Sequence, residues 1–184
     1  EKVARDEKDP RMRLLFVEAF GRVPCYAANQ SLCYFAIRDA DPDVRERALT
    51  LLGQEHCDHI TSAGLIAHAL AAKDNVYVKR GAFALGELGA VNAILPLIGA
   101  LETSHKIALR GNEPGRMSLS MGPGGTGMKT GGGPQSKTVV VKNDEVLNAL
   151  RKITEQNLGF DESAWKNWYL ENYTLYDVDV RADD

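Results

Sequence analysis

No apolar run in the 184-residue sequence approaches the length of about 20 residues that a helix needs to cross a bilayer, so no membrane insertion is expected. Cysteine is scarce. Cys25, Cys33 and Cys57 are an odd number with no CxxC spacing, which disfavours a disulfide framework and leaves the redox compartment open, and with it the localisation. Neither sign of charge dominates: a net charge of −3 at pH 7 gives no overall field to draw nucleic acid or an anionic membrane surface. Residues Glu1 to Lys8 are charged and lack the apolar segment of a secretory signal; they read as a start inside a longer protein. A hydrophobic content of 44% with 26% charged residues is that of a folded chain and argues against disorder throughout.

One pattern recurs. It begins at Asp9-Pro10, Asp41-Pro42 and Asp74-Asn75, at spacings of 32 and then 33 residues, and each copy closes twelve positions on at Gly21, Gly53 and Gly86. The opening aspartate suits a helix N-cap, where a carboxylate accepts from free backbone N–H groups. Proline after it occupies the helical position where a missing N–H is harmless. Apolar or small residues follow at offsets three, seven, ten and eleven: Met12, Phe16, Ala19, Phe20; Val44, Ala48, Leu51, Leu52; Tyr77, Gly81, Ala84, Leu85. This is one stripe of an amphipathic helix, and the glycine suits a left-handed C-terminus. A second apolar segment follows each copy: Leu32 to Ile37, Ile60 to Leu70, Ile94 to Leu101. The unit is a pair of helices, and such a period signals a stack of them.

The ankyrin T-P-L-H signature and the tetratricopeptide tryptophan–glycine–tyrosine pattern are absent. The segments Asp41-Pro42-Asp43-Val44-Arg45 with Ala48, Leu52 and Gly53, and Val78-Lys79-Arg80-Gly81-Ala82-Phe83-Ala84-Leu85-Gly86-Glu87-Leu88-Gly89, resemble short bacterial HEAT-like repeats of the phycobilisome-lyase type. Ala93 to Leu101 is similar to the second helix of such a unit. The resemblance covers residues 9 to 103 and implies an all-α fold: a right-handed α-solenoid of about four HEAT-like helical hairpins. It is nearly silent on activity, because such folds host many roles.

A fourth unit should begin near residue 106. Instead comes a segment, 106–142, with nine glycines between Gly111 and Gly133. Strand-like pieces flank it, Lys106 to Leu109, Met117 to Met121 and Thr138 to Val141, which predicts a β-hairpin or small ribbon with a Gly-rich tip. Loops of such length tend to be functional or disordered. The helical pattern resumes at Asn143, a candidate cap, with Val146, Leu150 and Ile153 on one face; Asp161 caps a last helix, and Phe160 can staple onto Trp165. The repeats therefore run over about 9–40, 41–73, 74–105 and 143–172, followed by an acidic tail, 173–184. Trp165, Trp168 and Tyr169 load one end with aromatic rings, which either seal the last unit or meet a partner.

Chemical motifs are weak. Gly122-Pro123-Gly124-Gly125-Thr126-Gly127-Met128-Lys129-Thr130 approaches the phosphate-loop pattern, but Met128 separates lysine from glycine. One extra residue swings that lysine about 100° around a helix axis, and glycines follow where a helix is required, so no nucleotide site is expected. Glu55-His56-Cys57-Asp58-His59 holds residues competent to bind a metal, but ligands so close in sequence cannot all converge on one ion. HEAT-like hydroxylases carry paired His-Glu dipeptides; this chain has none. No Ser-His-Asp grouping can be argued. The expectation is a non-catalytic scaffold or interaction module with a protein partner and no cofactor. Its contacts are expected at Tyr34, Arg38, His68 and Lys73 on the second-helix surface, at Trp165 and Trp168, and on the insertion. The alternative is a HEAT-type enzyme resembling a bilin lyase or a metal-dependent hydroxylase.

Overall fold

A computed structural model describes the backbone of residues 2–108, 118–122, 125–129 and 136–173, and the side chains in those ranges outside 106–136. The described residues are mostly helical: α1 (Lys2–Asp6), α2 (Pro10–Gly21), α3 (Tyr26–Arg38), α4 (Pro42–Leu52), α5 (His59–Ala67), α6 (Asn75–Glu87), α7 (Ile94–Gly99), α8 (Asp144–Thr154) and α9 (Glu162–Tyr173). A 3₁₀ turn, His68–Ala71, extends α5, and another, Val91–Ala93, leads into α7. Two compact units result: the helices before residue 104 together with those after 141, and the segment 104–141.

In the segment, β1 (Glu102–Ala108) pairs with β4 (Ser136–Lys142). An antiparallel ladder joins β2 (Ser118–Gly122) to β3 (Gly125–Lys129), with Ser118 opposite Lys129 and Gly122 opposite Gly125. Three of these strands fall on the strand-like pieces. β3 lies in the glycine-rich motif itself, so the stretch compared with a phosphate loop forms a ladder rather than a turn opening a helix. Leu109, Met117, Thr130, the glycines at 111, 115 and 131–133, and the acidic residues Asp177, Asp179, Asp183 and Asp184 lie outside the described residues.

In the helical unit the repeat is visible bond by bond. Asp9, Asp41 and Asp74 each accept from the backbone N–H two residues on, at 2.9 Å in all three copies. Each such cap stabilises its helix by about 1 kcal/mol. The first two copies share a further device. Arg13 Nη1 donates to the carbonyls of Glu7 and Lys8, and Arg45 Nη1 to those of Asp39 and Ala40, one 32-residue period later. Glu7 accepts from the N–H of Asp9, and Asp39 from that of Asp41. In the third copy Ala72 and Val78 stand at these positions, and the device ends.

The apolar stripe is buried as expected in α4 and, apart from half-buried Tyr77, in α6. In α2, an end helix, the buried residues are instead Val17 and Gly21, while Met12 and Ala19 are exposed. The second helices pack on the first helices that follow them: α3 on α4, α5 with its 3₁₀ extension on α6, and α7 on α8. One hydrophobic cluster runs through the unit, from Ala4 to Trp165.

Two kinds of expected cap differ. Asn143 is fully buried at the start of α8, but its side chain does not cap that helix. Its Nδ2 donates to Ala100 O (2.8 Å) and Thr103 Oγ1 (2.9 Å), satisfying a carbonyl left open at the end of α7. The repeated glycines are not left-handed either; among the described residues the glycines with positive φ are Gly89 and Gly159. Their role is spacing. A Cβ on Gly21 would meet the Leu51 side chain at 2.8 Å, and one on Gly86 would meet Ala149 Cα at 3.1 Å. Gly53 has nothing closer than 3.5 Å. Gly86→Val is therefore expected to cost about 1–3 kcal/mol by forcing α6 off α8. Gly53→Ala, at a helical φ of −79°, should change stability by less than about 1 kcal/mol. Urea unfolding of the two variants checks the contrast.

Candidate functional site

The first helices pack in pairs, α2 on α4 and α6 on α8, but α4 and α6 do not pack closely. The side chains repeat this division. Glu18 of α2 pairs with Arg47 of α4; Lys79 of α6 pairs with Glu145 of α8 at 3.0 Å, and Glu87 with Lys152 at 2.7 Å. Among the described residues no ion pair joins α4 to α6. The glycine position is tight in α2 and α6 and open in α4.

Where α4 and α6 part, a groove of about 740 Å³ opens, within the size range of ligand-binding clefts. Ala36 of α3 and Ala84 of α6, both buried, form its floor; Leu49 and Leu88 are half-buried in its walls. Phe83 stands on the rim, 56% exposed. Arg45 and Arg80 stand together nearer the N-terminal end of α4. Arg80 Nη1 donates to the carbonyls of Ile37 and Asp39 at 3.1 and 3.2 Å. Burial first, and the neighbouring Arg45 charge second, push the Arg80 guanidinium below its ordinary pKa. Arg13 is the contrast. Its Nε and Nη2 donate to both oxygens of Asp39 at 2.8 and 2.9 Å, and this hydrogen-bonded pair raises its pKa. The Arg13 and Asp39 side chains are 11% and 3% exposed.

None of the six expected contact residues lines the groove. Tyr34 is half-buried beneath Arg5, whose guanidinium lies 4.3 Å from the ring centre. Arg38 is exposed and lies 4.6 Å over the Tyr77 ring. His68 and Lys73 are exposed. Trp165 is fully buried, its Nε1 donating to Gly159 O at 2.9 Å, so it belongs to the core and offers no surface to a partner. Trp168 is half-buried and meets Trp165 edge to face at 6.0 Å. The structure thus brings Arg38 to Tyr77 and Trp168 to Trp165, but it does not gather the six into one site.

A smaller cavity of about 160 Å³ is lined by Cys25, His56, Cys57 and Asp58, among others. Here His56 Nε2 bonds Gly21 O at 2.7 Å, His59 Nε2 bonds Gln54 O at 2.9 Å, and Asp58 caps α5 by accepting from Thr61 N. Among the described residues no group of three or more His, Cys, Asp and Glu is placed to hold a metal ion. Cys25, the N-cap of α3, is exposed, whereas burial pushes the Cys33 thiol up to about 12 and raises that of Cys57 as well. Since the thiolate is the nucleophile, iodoacetamide at pH 8 should label Cys25 first and Cys33 only after unfolding. Peptide mass mapping against time reads this directly.

No protein-family model, curated protein or solved structure matches the chain.

Proposed function

We propose that the chain is a non-catalytic interaction module: a right-handed solenoid of HEAT-like hairpins that holds a protein partner. The observation that carries this reading is the apolar-floored groove between α4 and α6, set in an array whose hydrogen bonds recur at the 32-residue period. A stack built by repetition buries its own core between neighbours, so a place where neighbours separate presents apolar surface to other molecules. No helix among the described residues is long and apolar enough to cross a membrane.

Affinity capture on the immobilised full chain, from an extract of the cells that produce it, tests the reading. A partner retained saturably by the folded chain, and not by the same chain after heat denaturation, supports it. Retention of nothing, or purification with a stoichiometric chromophore or metal, speaks for the enzyme alternative instead.

A further inference from the structure

The repeat itself shows what the groove lacks. Counted from the opening aspartate, Glu18 is at offset nine of the first copy and Arg47 at offset six of the second, and these two pair across α2 and α4. One period later the same offsets hold Thr50 and Arg80. Threonine offers no carboxylate, and its Oγ1 donates back to Glu46 O at 2.9 Å. Arg80 is left with backbone carbonyls and, at 5.9 Å, the face of the Tyr77 ring. Asp74 and Asp39 attract it from farther off, but among the described residues no carboxylate bonds it, and the net effect of burial and Arg45 is still to lower its pKa. Arg45 beside it is in the same position, because both oxygens of Asp39 are taken by Arg13. Each of the two binds its carbonyls through Nη1 alone.

The acidic groups facing the groove do not neutralise this pair. Glu87 is held by Lys152 and Glu145 by Lys79, and exposed Glu46 forms no ion pair among the described residues. Two half-buried guanidinium groups with the same charge thus stand over an apolar floor, and a half-buried cation is stabilised by an opposite charge with matching donors and acceptors. The walls run from Lys79 of α6 to Leu88, the cap just past its end, ten residues, or about 15 Å at the helical rise. That length accommodates about three turns of a helix laid beside α4 and α6.

We propose that this groove docks an amphipathic helical segment of a partner protein, whose carboxylate takes at Arg80 and Arg45 the place that Glu18 takes at Arg47. Its apolar side chains lie on Leu49, Phe83 and Leu88. The inference rests on the reading of the chain as a partner-binding module and adds the chemistry of what is recognised.

The test uses a phage-displayed library of random 12-residue peptides, selected on the intact full chain and then measured singly by fluorescence anisotropy. The expected winners carry one Asp or Glu within a turn or two of Leu, Phe or Trp at helical spacing. Changing that acid to its amide should weaken binding by about tenfold. Two variants altered at exposed side chains locate the site without disturbing the core. Phe83→Asp should abolish binding, and Thr50→Glu, which restores an internal carboxylate to Arg80, should weaken it by a similar factor. Thermal melts confirm that both remain folded.

Winners without an acid, winners that bind Phe83→Asp as well as the parent chain, or no enrichment over Phe83→Asp would each overturn the proposal. So would a dimer in sedimentation that Phe83→Asp dissolves, since a second copy would then be the occupant. A captured partner whose binding ignores both variants sinks the groove while leaving the interaction module standing. Absence of any partner removes both.

Discussion

Asp39→Ala is expected to destabilise the fold by about 3–5 kcal/mol, the cost of breaking a buried ion pair by removing one member. Asp39 lies at the join between the first two repeats. Its carboxylate accepts from Nε and Nη2 of Arg13 in α2 and from the N–H of Asp41 that opens α4. Its carbonyl accepts from Arg45 and Arg80. Alanine keeps the carbonyl, so Arg45 and Arg80 retain their anchors, while Arg13, only 11% exposed, loses its one hydrogen-bonded carboxylate and keeps only the more distant charges of Asp41 and Glu7. At about 2–4 °C per kcal/mol for a chain of this size, Tm should fall by roughly 6–20 °C. Asp39→Asn should recover part of the loss, because an amide oxygen still accepts from Arg13 or from the Asp41 N–H. Pairing Arg13→Ala with Asp39→Ala in a double-mutant cycle should show strong coupling. A loss below about 1 kcal/mol would place the pair among surface ion pairs and remove this join from the account.

Trp165→Ala should have a comparable effect at the other end, about 3–5 kcal/mol for a fully buried aromatic side chain. Trp165 anchors α9, which packs on α7, and its Nε1 donates to the carbonyl of Gly159. Gly159 adopts a φ of +62°, in the region that favours glycine, so the turn into α9 and the ring that locks it depend on each other. Trp165→Phe keeps most of the apolar volume and should lose less. Trp168→Ala, at a half-buried ring, should cost about 1–2 kcal/mol. Denaturant unfolding ranks the three. Equal losses at Trp165 and Trp168 would mean that the two rings seal the end jointly, rather than one acting as core and the other as cover.

The starts of α2, α4, α6 and α9 are legible in the sequence because their causes are local, whereas α1 and the caps Cys25 of α3 and Asp58 of α5 are not read there. An aspartate two residues before an N–H, and proline where no N–H is needed, act within one turn. Asp9, Asp41, Asp74 and Asp161 all accept as the pattern requires. The glycines mislead because two explanations share one letter. A glycine near a helix end suggests a left-handed cap, while the need at Gly86 is for α8 to approach, which depends on Ala149 more than sixty residues away. Asn143 misleads in the same way: its local environment says cap, and its bonds go to α7.

Arg13 and Arg45 could have been found. Both stand four residues after the opening aspartate, a charged position repeated at the full period, where a solvated side chain has no reason to recur. The groove could not. It arises from contacts that α4 and α6 do not make, and its marks are changes of residue type at fixed offsets, Glu18 to Thr50 and Arg45 to Val78. These become informative only once the spatial pairs at those offsets are known. The contacts expected on the second helices followed from exposure patterns, and those patterns do not reveal where a surface is concave.

The central claim is that the helices on either side of the excursion form one self-sufficient unit, with α8 continuing the array that α6 and α7 leave open. Deleting residues 111–134 and following thermal unfolding by near-UV circular dichroism tests it most directly. The account expects one cooperative transition with an unchanged tryptophan signal and a Tm within about 4 °C of the parent, equivalent to some 1 kcal/mol. Loss of the tryptophan signal, or a transition that broadens or splits, would show that the excursion holds α8 and α9 in place, and would contradict the claim.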